Sequence, residues 1–263
     1  MRTALVAIAK DEDRYLKEWV DYNIDVGFTE IFVYQNNWRY KGGDIAYDNV
    51  HLIECDGHRM QVPSYNNFIN GHWMKFDFAA FFDIDEFLYI KDGRKIGDVM
   101  ESYLDLDSVY VNWRLFGDSG IERVENENYS VRNRFIMCAK DLYRLGKHIL
   151  NLKKNENKAL FVNPHIICRT GTKLTEVVGT DPNRKRTCIR GSLDDNTENE
   201  PMELYHFRNK TWEEAVSRRF MQDDAFHEAS MVDFRMDINA VKREFLIHNK
   251  NEIENRNIWK ELA

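Results

Sequence analysis

The chain has 263 residues, of which 43% are hydrophobic and 13% aromatic, and this is enough for one large α/β domain. Its 37 basic and 44 acidic residues give a net charge of −7, which argues against general nucleic-acid binding because such binding needs many cationic contacts to phosphates. No linker rich in Gly, Ser or Pro divides the sequence, so a single domain is expected.

The first eighty residues alternate between strand and helix patterns. The predicted strands are TALVAIA (3–9), EIFVYQ (30–35), VHLIEC (50–55) and DFAAFFD (77–83). A helical pattern follows the first strand, with Asp11 as its N-cap and Gly27 as its C-terminal stop. A second helix is predicted from Pro63 to about Trp73. This alternation predicts a doubly wound sheet, which binds ligands beyond the carboxyl ends of its strands.

The second half of the chain has a less regular pattern. SVYVNWRLF (108–116) predicts a strand, and residues 131–178 have the pattern of short strands and loops. Helices are predicted over 211–222 and over much of 236–262. The polar stretch 179–201 predicts a surface loop.

The cysteines and the apolar runs bear on the compartment. Cys55, Cys138, Cys168 and Cys188 form no C-x-x-C pair, which favours a reduced cytoplasmic protein over a zinc or disulfide framework. The N-terminal apolar stretch is too short for a signal peptide, and no apolar run is long enough to span a bilayer. We expect a soluble cytoplasmic protein, with contact at the inner face of the membrane left open.

One apolar segment, FFDIDEFLYI (81–90), contains Asp83, Asp85 and Glu86. Charged side chains are almost never buried without compensation. Asp83 and Asp85 are two residues apart, so on a regular strand they would face the same side. Carboxylate oxygens favour hard divalent ions such as Mg²⁺ or Mn²⁺, which bind substrate phosphates. The segment therefore indicates either a metal–diphosphate site or a solvated turn with helix-capping acids.

Several further segments occur in a fixed order around this D-x-D motif. They are AIAKDEDRYLKEWVDYNIDVGFTEIFVYQNN (7–37), RMQVPSYNNFI (59–69), VNWRLFGDSG (111–120) and ELYHFRNKTWEEAVSR (203–218). Together with DIDEF they resemble the GT-A nucleotide-diphosphosugar glycosyltransferases, in particular a bacterial family 2-like branch related to glycosyltransferase family 92.

The resemblance implies a domain organisation. We expect a single α/β domain with a GT-A, Rossmann-like mixed sheet flanked by helices, over residues 1–225. Residues 1–110 form the nucleotide-sugar-binding half and residues 111–225 the acceptor-side half. A helical C-terminal extension covers 226–263, which lies outside the resemblance.

The resemblance also implies a donor site. Its residues are Ala9, Lys10, Glu12, Asn36, Asn37, Gln61, Asn66, Asp83, Ile84, Asp85 and Lys210. The ends of the first two strands border the uridine and ribose, and Lys210 neutralises the leaving diphosphate. Helix N-terminal charge compensation is an equal alternative for Glu12, and local backbone capping is an equal alternative for Asn66.

A metal site is implied as well. Mn²⁺ or Mg²⁺ is held by Asp83, Asp85 and His206, and Glu86 orients the two aspartates. His165, at another position where this branch tends to carry histidine, is the alternative to His206.

On the acceptor side, the resemblance implies a sugar platform and a general base. Trp113, Phe116 and Gly117 form the platform, although Trp113 is equally consistent with the core. An inverting transfer needs an acid that deprotonates the acceptor hydroxyl. The candidate acids are Asp118, Glu122, Asp223 and Asp224. Asp118 is preferred because it lies within a resembling segment.

The predicted function is transfer of a hexose, galactose or glucose, from a UDP-sugar to a hydroxyl of a capsule, lipopolysaccharide or glycoprotein glycan, with inversion. Two alternatives stay open. One is another metal-dependent nucleotide enzyme such as a nucleotidyltransferase, although AIAKDED is not a Gly-rich basic phosphate loop. The other is a non-catalytic glycan-binding protein on a transferase fold, against which the D-x-D motif and His206 argue.

Overall fold

The computed structural model describes residues 1–123, 130–188, 190–193, 200–221 and 237–259. Its strands there are β1 (Thr3–Ala9), β2 (Glu30–Asn36), β3 (Val50–Cys55), β4 (Phe78–Phe81), β5 (Glu86–Ile90), β6 (Ser108–Leu115), β7 (Met137–Cys138), β8 (Tyr143–Asn151), β9 (Ala159–Asn163), β10 (Ile166–Arg169), β11 (Thr175–Glu176), β12 (Gly179–Thr180), β13 (Thr187–Cys188), β14 (Met202–His206) and β15 (Ile253–Glu254). The α-helices there are α1 (Leu16–Val26), α2 (Gln61–His72), α3 (Ile96–Met100), α4 (Val131–Arg134), α5 (Leu152–Asn155), α6 (Trp212–Met221) and α7 (Ile238–His248).

The central sheet is mixed. Strands β3, β2, β1 and β4 are parallel neighbours in that order. Strand β8 runs antiparallel between β4 and β6, and β14 lies parallel to β6 and antiparallel to β5. Since β2 and β4 lie on opposite sides of β1, the chain changes direction across the sheet at this point. Doubly wound sheets open their ligand crevice beyond the carboxyl ends of the strands at such a switch point.

Helices cover both faces of this sheet, as the sequence predicts. Leu16 and Trp19 of α1 belong to the apolar cluster on one face. Tyr65, Phe68 and Ile69 of α2 belong to the cluster on the other face. Strand β1 lies between the two clusters, which explains why nearly all of TALVAIA is buried. The α/β class and the mixed sheet flanked by helices are therefore confirmed.

The helix ends show where local patterns succeed and fail. Gly27 ends α1 with a left-handed φ of 98°, and its N–H donates to the carbonyl oxygens of Asn23 and Ile24, as expected of a C-terminal glycine. Asp11 does not cap α1, because it takes a left-handed φ of 57° and the helix begins only at Leu16. That prediction was wrong.

The C-terminal segment 237–259 joins the domain through a helix and an extended stretch. After α7 the chain runs extended, and β15 pairs antiparallel with β7. The prediction of helix over much of 236–262 was therefore only partly right. Helix α7 lies against the loop that follows β14, where Asn209 Nδ2 donates to the carbonyl oxygen of Phe245 at 2.8 Å.

The stretch 179–201 is not entirely loop, because β12 and β13 add two short strands beside β6. Within the described ranges, no helix is both long and apolar enough to cross a bilayer.

Candidate functional site

The three acids of DIDEF lie on the connection between β4 and β5. The Asp83 N–H donates to Glu86 Oε2 at 2.9 Å, and the Glu86 N–H donates to the Asp83 carbonyl oxygen at 3.0 Å. Trp19 Nε1 donates to the Glu86 carbonyl oxygen at 2.9 Å, which ties the turn to α1. Ile84 is buried. Because Asp83 and Asp85 stand on a turn, the strand argument for a shared face does not apply, and the two carboxylates have different partners.

Asp83 lies in a network built by α2 and β8. Gln61 Nε2 donates to Asp83 Oδ1 at 2.8 Å, and the Tyr65 hydroxyl lies 3.4 Å from the same oxygen. Lys147 Nζ lies 2.8 Å from Asp83 Oδ2 and 3.9 Å from Glu86 Oε1. Lys147 and Glu86 are fully buried, whereas a third of the Asp83 side chain is exposed. The buried charges of DIDEF are thus compensated in part by a lysine of the protein itself.

Asp85 lies against residues of the chain's last third. Its Oδ1 lies 3.5 Å from His206 Nε2, and its Oδ2 lies 3.6 Å from Arg218 Nη1. The register of β14 against β5 places His206 opposite Glu86, and the Phe207 N–H donates to the Asp85 carbonyl oxygen. The structure therefore brings Asp85 and His206 together.

Charges around Asp85 decide its ionisation. Burial disfavours the carboxylate, but His206, Lys210 and Arg218 outweigh burial and hold the pKa of Asp85 well below its ordinary value. Burial lowers the pKa of His206 despite the neighbouring carboxylate. Glu12 lies near the same charges. Burial raises the pKa of Glu12, although the positive charge of Lys210 opposes this shift.

An aromatic wall stands beside this pair. The Trp113 ring lies 4.4 Å from the His206 ring and 5.3 Å from the His165 ring, centroid to centroid. Both predicted histidines therefore lie beside the same indole. Trp113 Nε1 and His206 Nδ1 are buried and have no hydrogen-bond partner among the described residues. His165 Nδ1 lies 2.9 Å from the Gly146 carbonyl oxygen.

The predicted sugar platform has no exposed aromatic face. Trp113 is 5% exposed and Phe116 is 2% exposed, the latter packed against Phe207 at 4.5 Å between ring centroids. A Cβ on Gly117 would lie 2.3 Å from Asn251 Oδ1. The absence of a side chain at Gly117 therefore lets the C-terminal segment 237–259 approach this closely. These positions belong to the core and to the contact with segment 237–259.

Among the predicted donor-site residues, three asparagines have structural partners in the backbone. Asn36 Nδ2 donates to the carbonyl oxygens of Cys55 and Gly57, and Asn37 Nδ2 also donates to Gly57. Asn66 exchanges two hydrogen bonds with the backbone of Phe161. These side chains therefore hold neighbouring backbone segments in place.

The end of β1 approaches the acids more closely. Ala9 is buried at the carboxyl end of β1, and Lys10 and Glu12 follow it in the loop before α1. Lys210 is 8% exposed, and its Nζ lies 4.5 Å from the centroid of the Tyr15 ring in the same loop. The loop and Lys210 thus form one side of the crevice at the sheet's switch point.

The candidate bases are placed differently from one another. Both carboxylate oxygens of Asp118 accept hydrogen bonds from the C-terminal segment, Oδ2 from Asn249 and Oδ1 from Asn251, each at 2.9 Å. Glu122 is exposed. Asp223 and Asp224 lie outside the described residues.

Sequence reasoning missed Lys147 and Arg218. Lys147 lies in the middle of YRLGKHILN, which also contains Arg144, so its charge was a weaker signal than the three acids of the apolar segment around DIDEF. Arg218 carried no comparable signal, since an arginine on an amphipathic helix is ordinarily solvated.

No protein-family model and no curated protein matches the chain. Solved structures that match include a Mycobacterium tuberculosis protein (TM-score 0.30, 8% identity, 43% of this chain and 66% of that chain). A glucose-1-phosphate thymidylyltransferase from Bacillus anthracis in complex with a sucrose matches with a TM-score of 0.31 and 8% identity, over 93% of this chain and 83% of that chain. Galactosyltransferase LgtC in complex with donor and acceptor sugar analogs matches with a TM-score of 0.27 and 16% identity, over 57% of this chain and 58% of that chain. TM-scores this low identify neither a family nor a function.

Proposed function

We propose that the chain is a metal-dependent glycosyltransferase that moves a hexose, galactose or glucose, from a UDP-sugar to a hydroxyl of a surface glycan, with inversion. The observation that carries the proposal is the pair of Asp85 and His206 beyond the carboxyl end of β4, next to the sheet's switch point. The choice of UDP-sugar, hexose, acceptor and stereochemistry rests on the sequence resemblance alone.

The residues present fit a divalent ion of the Mn²⁺ or Mg²⁺ type. Such ions are held by one or two protein ligands about 2.1 Å away, with substrate phosphates and water as the other ligands. A separation of 3.5 Å between Asp85 Oδ1 and His206 Nε2 allows both atoms to bind one ion. Across the described residues no three His, Cys, Asp or Glu side chains converge, so the fit is to a site that the substrate completes.

When bound, the ion supplies positive charge that stabilises the leaving diphosphate. Lys210 and Arg218 lie on the same side as Asp85 and add cationic charge there. Asp83 presents a partly exposed carboxylate that accepts hydrogen bonds, which suits hydroxyl groups of the donor's ribose or sugar. Trp113 packs against the His206 ring and would hold it in place beside Asp85.

The test measures UDP binding and turnover together. Isothermal titration should show UDP binding in the presence of Mn²⁺ and its loss in excess EDTA. Incubation with UDP-galactose and UDP-glucose should release UDP, slowly by hydrolysis without acceptor and faster with it. Asp85→Asn should lower both signals by about a hundredfold.

The matched control is Asp92→Asn, which removes an exposed carboxylate on the turn after β5 and should leave both signals unchanged. UDP binding that survives chelation, or an Asp85→Asn variant with wild-type turnover, would refute the proposal. Release of pyrophosphate from a nucleoside triphosphate and a sugar 1-phosphate, without UDP release from UDP-sugars, would point to a nucleotidyltransferase instead.

A further inference from the structure

A buried lysine occupies the position beside Asp83 where a metal ion would otherwise be expected. The side chain of Lys147 is 1% exposed and projects from the middle of β8. Its ammonium group lies 2.8 Å from Asp83 Oδ2 and 3.9 Å from Glu86 Oε1. A buried ammonium group is costly unless opposite charges compensate it. The contacts show that the acids of DIDEF provide this compensation.

The contacts set one ammonium group against two carboxylates. Lys147 therefore places its positive charge 2.8 Å from Asp83 Oδ2, at the position where Asp83 would meet a metal ion.

Asp83 and Asp85 differ in how their oxygen atoms are engaged. Both oxygens of Asp83 have close partners, Oδ2 with Lys147 and Oδ1 with Gln61. The described partners of Asp85 lie at 3.5 and 3.6 Å, beyond the roughly 2.7–2.9 Å of a tight charge-assisted hydrogen bond. Asp85 thus has room for a further ligand, whereas Asp83 is already neutralised.

We propose that Lys147 is an internal counter-cation that keeps a divalent ion away from Asp83 and confines metal binding to Asp85 and His206. A fixed positive charge within 3 Å of a carboxylate oxygen repels a divalent ion at that oxygen. Asp83 is then left to accept hydrogen bonds from neutral hydroxyl groups. This inference rests on the metal site of the proposed function, and it removes Asp83 from the predicted ligand set.

The experiment titrates Mn²⁺ alone into the full chain, with the loss of the free-ion signal in electron paramagnetic resonance as the readout. The wild type should bind one ion. Asp85→Asn should weaken binding about tenfold or more, whereas Asp83→Asn should change it by less than about twofold. Lys147→Met should tighten binding about tenfold, because it frees the Asp83 carboxylate and removes a like charge.

A double variant and two controls make the test specific. Asp83→Asn in the Lys147→Met background should abolish the gain, since Asp83 is its source. Lys147→Arg keeps the charge and should resemble the wild type. Lys154→Met removes an exposed lysine just after β8 and should have no effect.

The proposal is overturned if Asp83→Asn weakens Mn²⁺ binding as much as Asp85→Asn does, or if a folded Lys147→Met variant binds no more tightly than the wild type. If Lys147→Met fails to fold, the comparison of Asp83→Asn with Asp85→Asn still decides. Adding UDP separates the two proposals. A wild type whose Mn²⁺ affinity does not respond to UDP contradicts the glycosyltransferase assignment, even when the pattern among the metal-only titrations is as expected.

Discussion

The two faces of the sheet formed by β6 and β14 differ in whether their buried charged and polar side chains have hydrogen-bond partners. On one face, Arg114 Nε donates to Glu203 Oε2 at 2.5 Å, and Lys91 Nζ lies 2.7 Å from Glu203 Oε1. Arg114 Nη1 also donates to the carbonyl oxygens of Ala139 and Lys140. Both residues of this buried pair have their groups engaged. The charged groups of this pair are therefore satisfied by each other, by Lys91 and by the backbone.

The other face carries Trp113 and His206. Side chains alternate between the two faces along a strand, and Trp113 is one residue from Arg114 on β6, while His206 is three residues from Glu203 on β14. Both therefore lie on the opposite side of the sheet from Arg114 and Glu203. Here Trp113 Nε1 and His206 Nδ1 are buried without partners among the described residues. Buried polar atoms are normally satisfied, so unsatisfied ones concentrated on one face need an explanation. We call the Arg114 and Glu203 side the closed face and the Trp113 and His206 side the open face. Both are buried, but they differ in how their polar groups are satisfied, and it is on the open face that we propose ligand binding.

The largest effect on stability is expected from removing one partner of the buried Arg114 and Glu203 pair on the closed face. Glu203→Ala leaves Arg114 buried without its carboxylate and should lower the free energy of unfolding by about 3–5 kcal/mol, measured by urea denaturation. Activity per folded molecule should stay close to that of the wild type, because Glu203 points away from the site.

The control replaces both partners. The double variant Arg114→Met and Glu203→Met should recover most of the lost stability, since two apolar chains of similar length can fill the same space. If Glu203→Ala left the free energy of unfolding unchanged but lowered turnover, Glu203 would act in function rather than in stability, and the contrast between the two faces would be wrong.

A smaller effect, of a different kind, is expected on the open face. His206→Asn should weaken Mn²⁺-dependent UDP binding by about a hundredfold, about 2.7 kcal/mol, with little change in the free energy of unfolding. His165→Asn tests the alternative ligand. It should leave Mn²⁺ affinity near that of the wild type, because no contact joins His165 to Asp85. Equal losses in the two variants would mean that both histidines bind the ion.

The sequence was sufficient to predict the elements of the first half. Continuous apolar runs and a left-handed glycine are local signals, and β1, β2 and β3 agree with their predicted bounds to within a residue. Asp85 and His206 were also predicted to lie in one site, and the structure places them side by side. That prediction came from motif resemblance, because the 120 residues between them carry no local signal of contact.

Other parts of the site depend on tertiary contacts that no local pattern encodes. Lys147 contacts Asp83 because β8 runs antiparallel beside β4. The order of strands in a sheet cannot be read from local sequence patterns. Trp113 and Phe116 have the composition of a sugar platform, but their burial depends on what packs above them. The burial of Trp113 and Phe116 and the contact of Lys147 with Asp83 therefore depend on tertiary packing, which residue type alone does not predict.

The pH dependence of stability gives a third test, at the buried pair of Glu200 and Arg186 just before β14. Burial raises the pKa of Glu200 to about 7, despite the opposing charge of Arg186. Between the ordinary value of 4.5 and about 7, the folded state therefore holds a proton that the unfolded state has released. Stability should fall as pH rises through that window, by about 3 kcal/mol, and be flat above it.

Glu200→Gln isolates this contribution. The variant mimics the protonated side chain, so its unfolding free energy should match the wild type near pH 5 and exceed it near pH 8. Denaturation in urea at several pH values measures the difference. A difference that does not change with pH would show that Glu200 titrates normally.

The smallest effect is expected where the sequence placed the general base. Asp118 follows β6, and its carboxylate accepts hydrogen bonds from Asn249 and Asn251, so it anchors the C-terminal segment. Asp118→Asn should lower the free energy of unfolding by about 1 kcal/mol, because the amide keeps one acceptor oxygen and loses the other. Turnover per folded molecule should change by less than about threefold, whereas loss of a general base costs about a hundredfold or more. Asn249→Ala should reproduce the stability loss, which ties the effect to the anchor. A large fall in turnover for Asp118→Asn alone would restore Asp118 as the base.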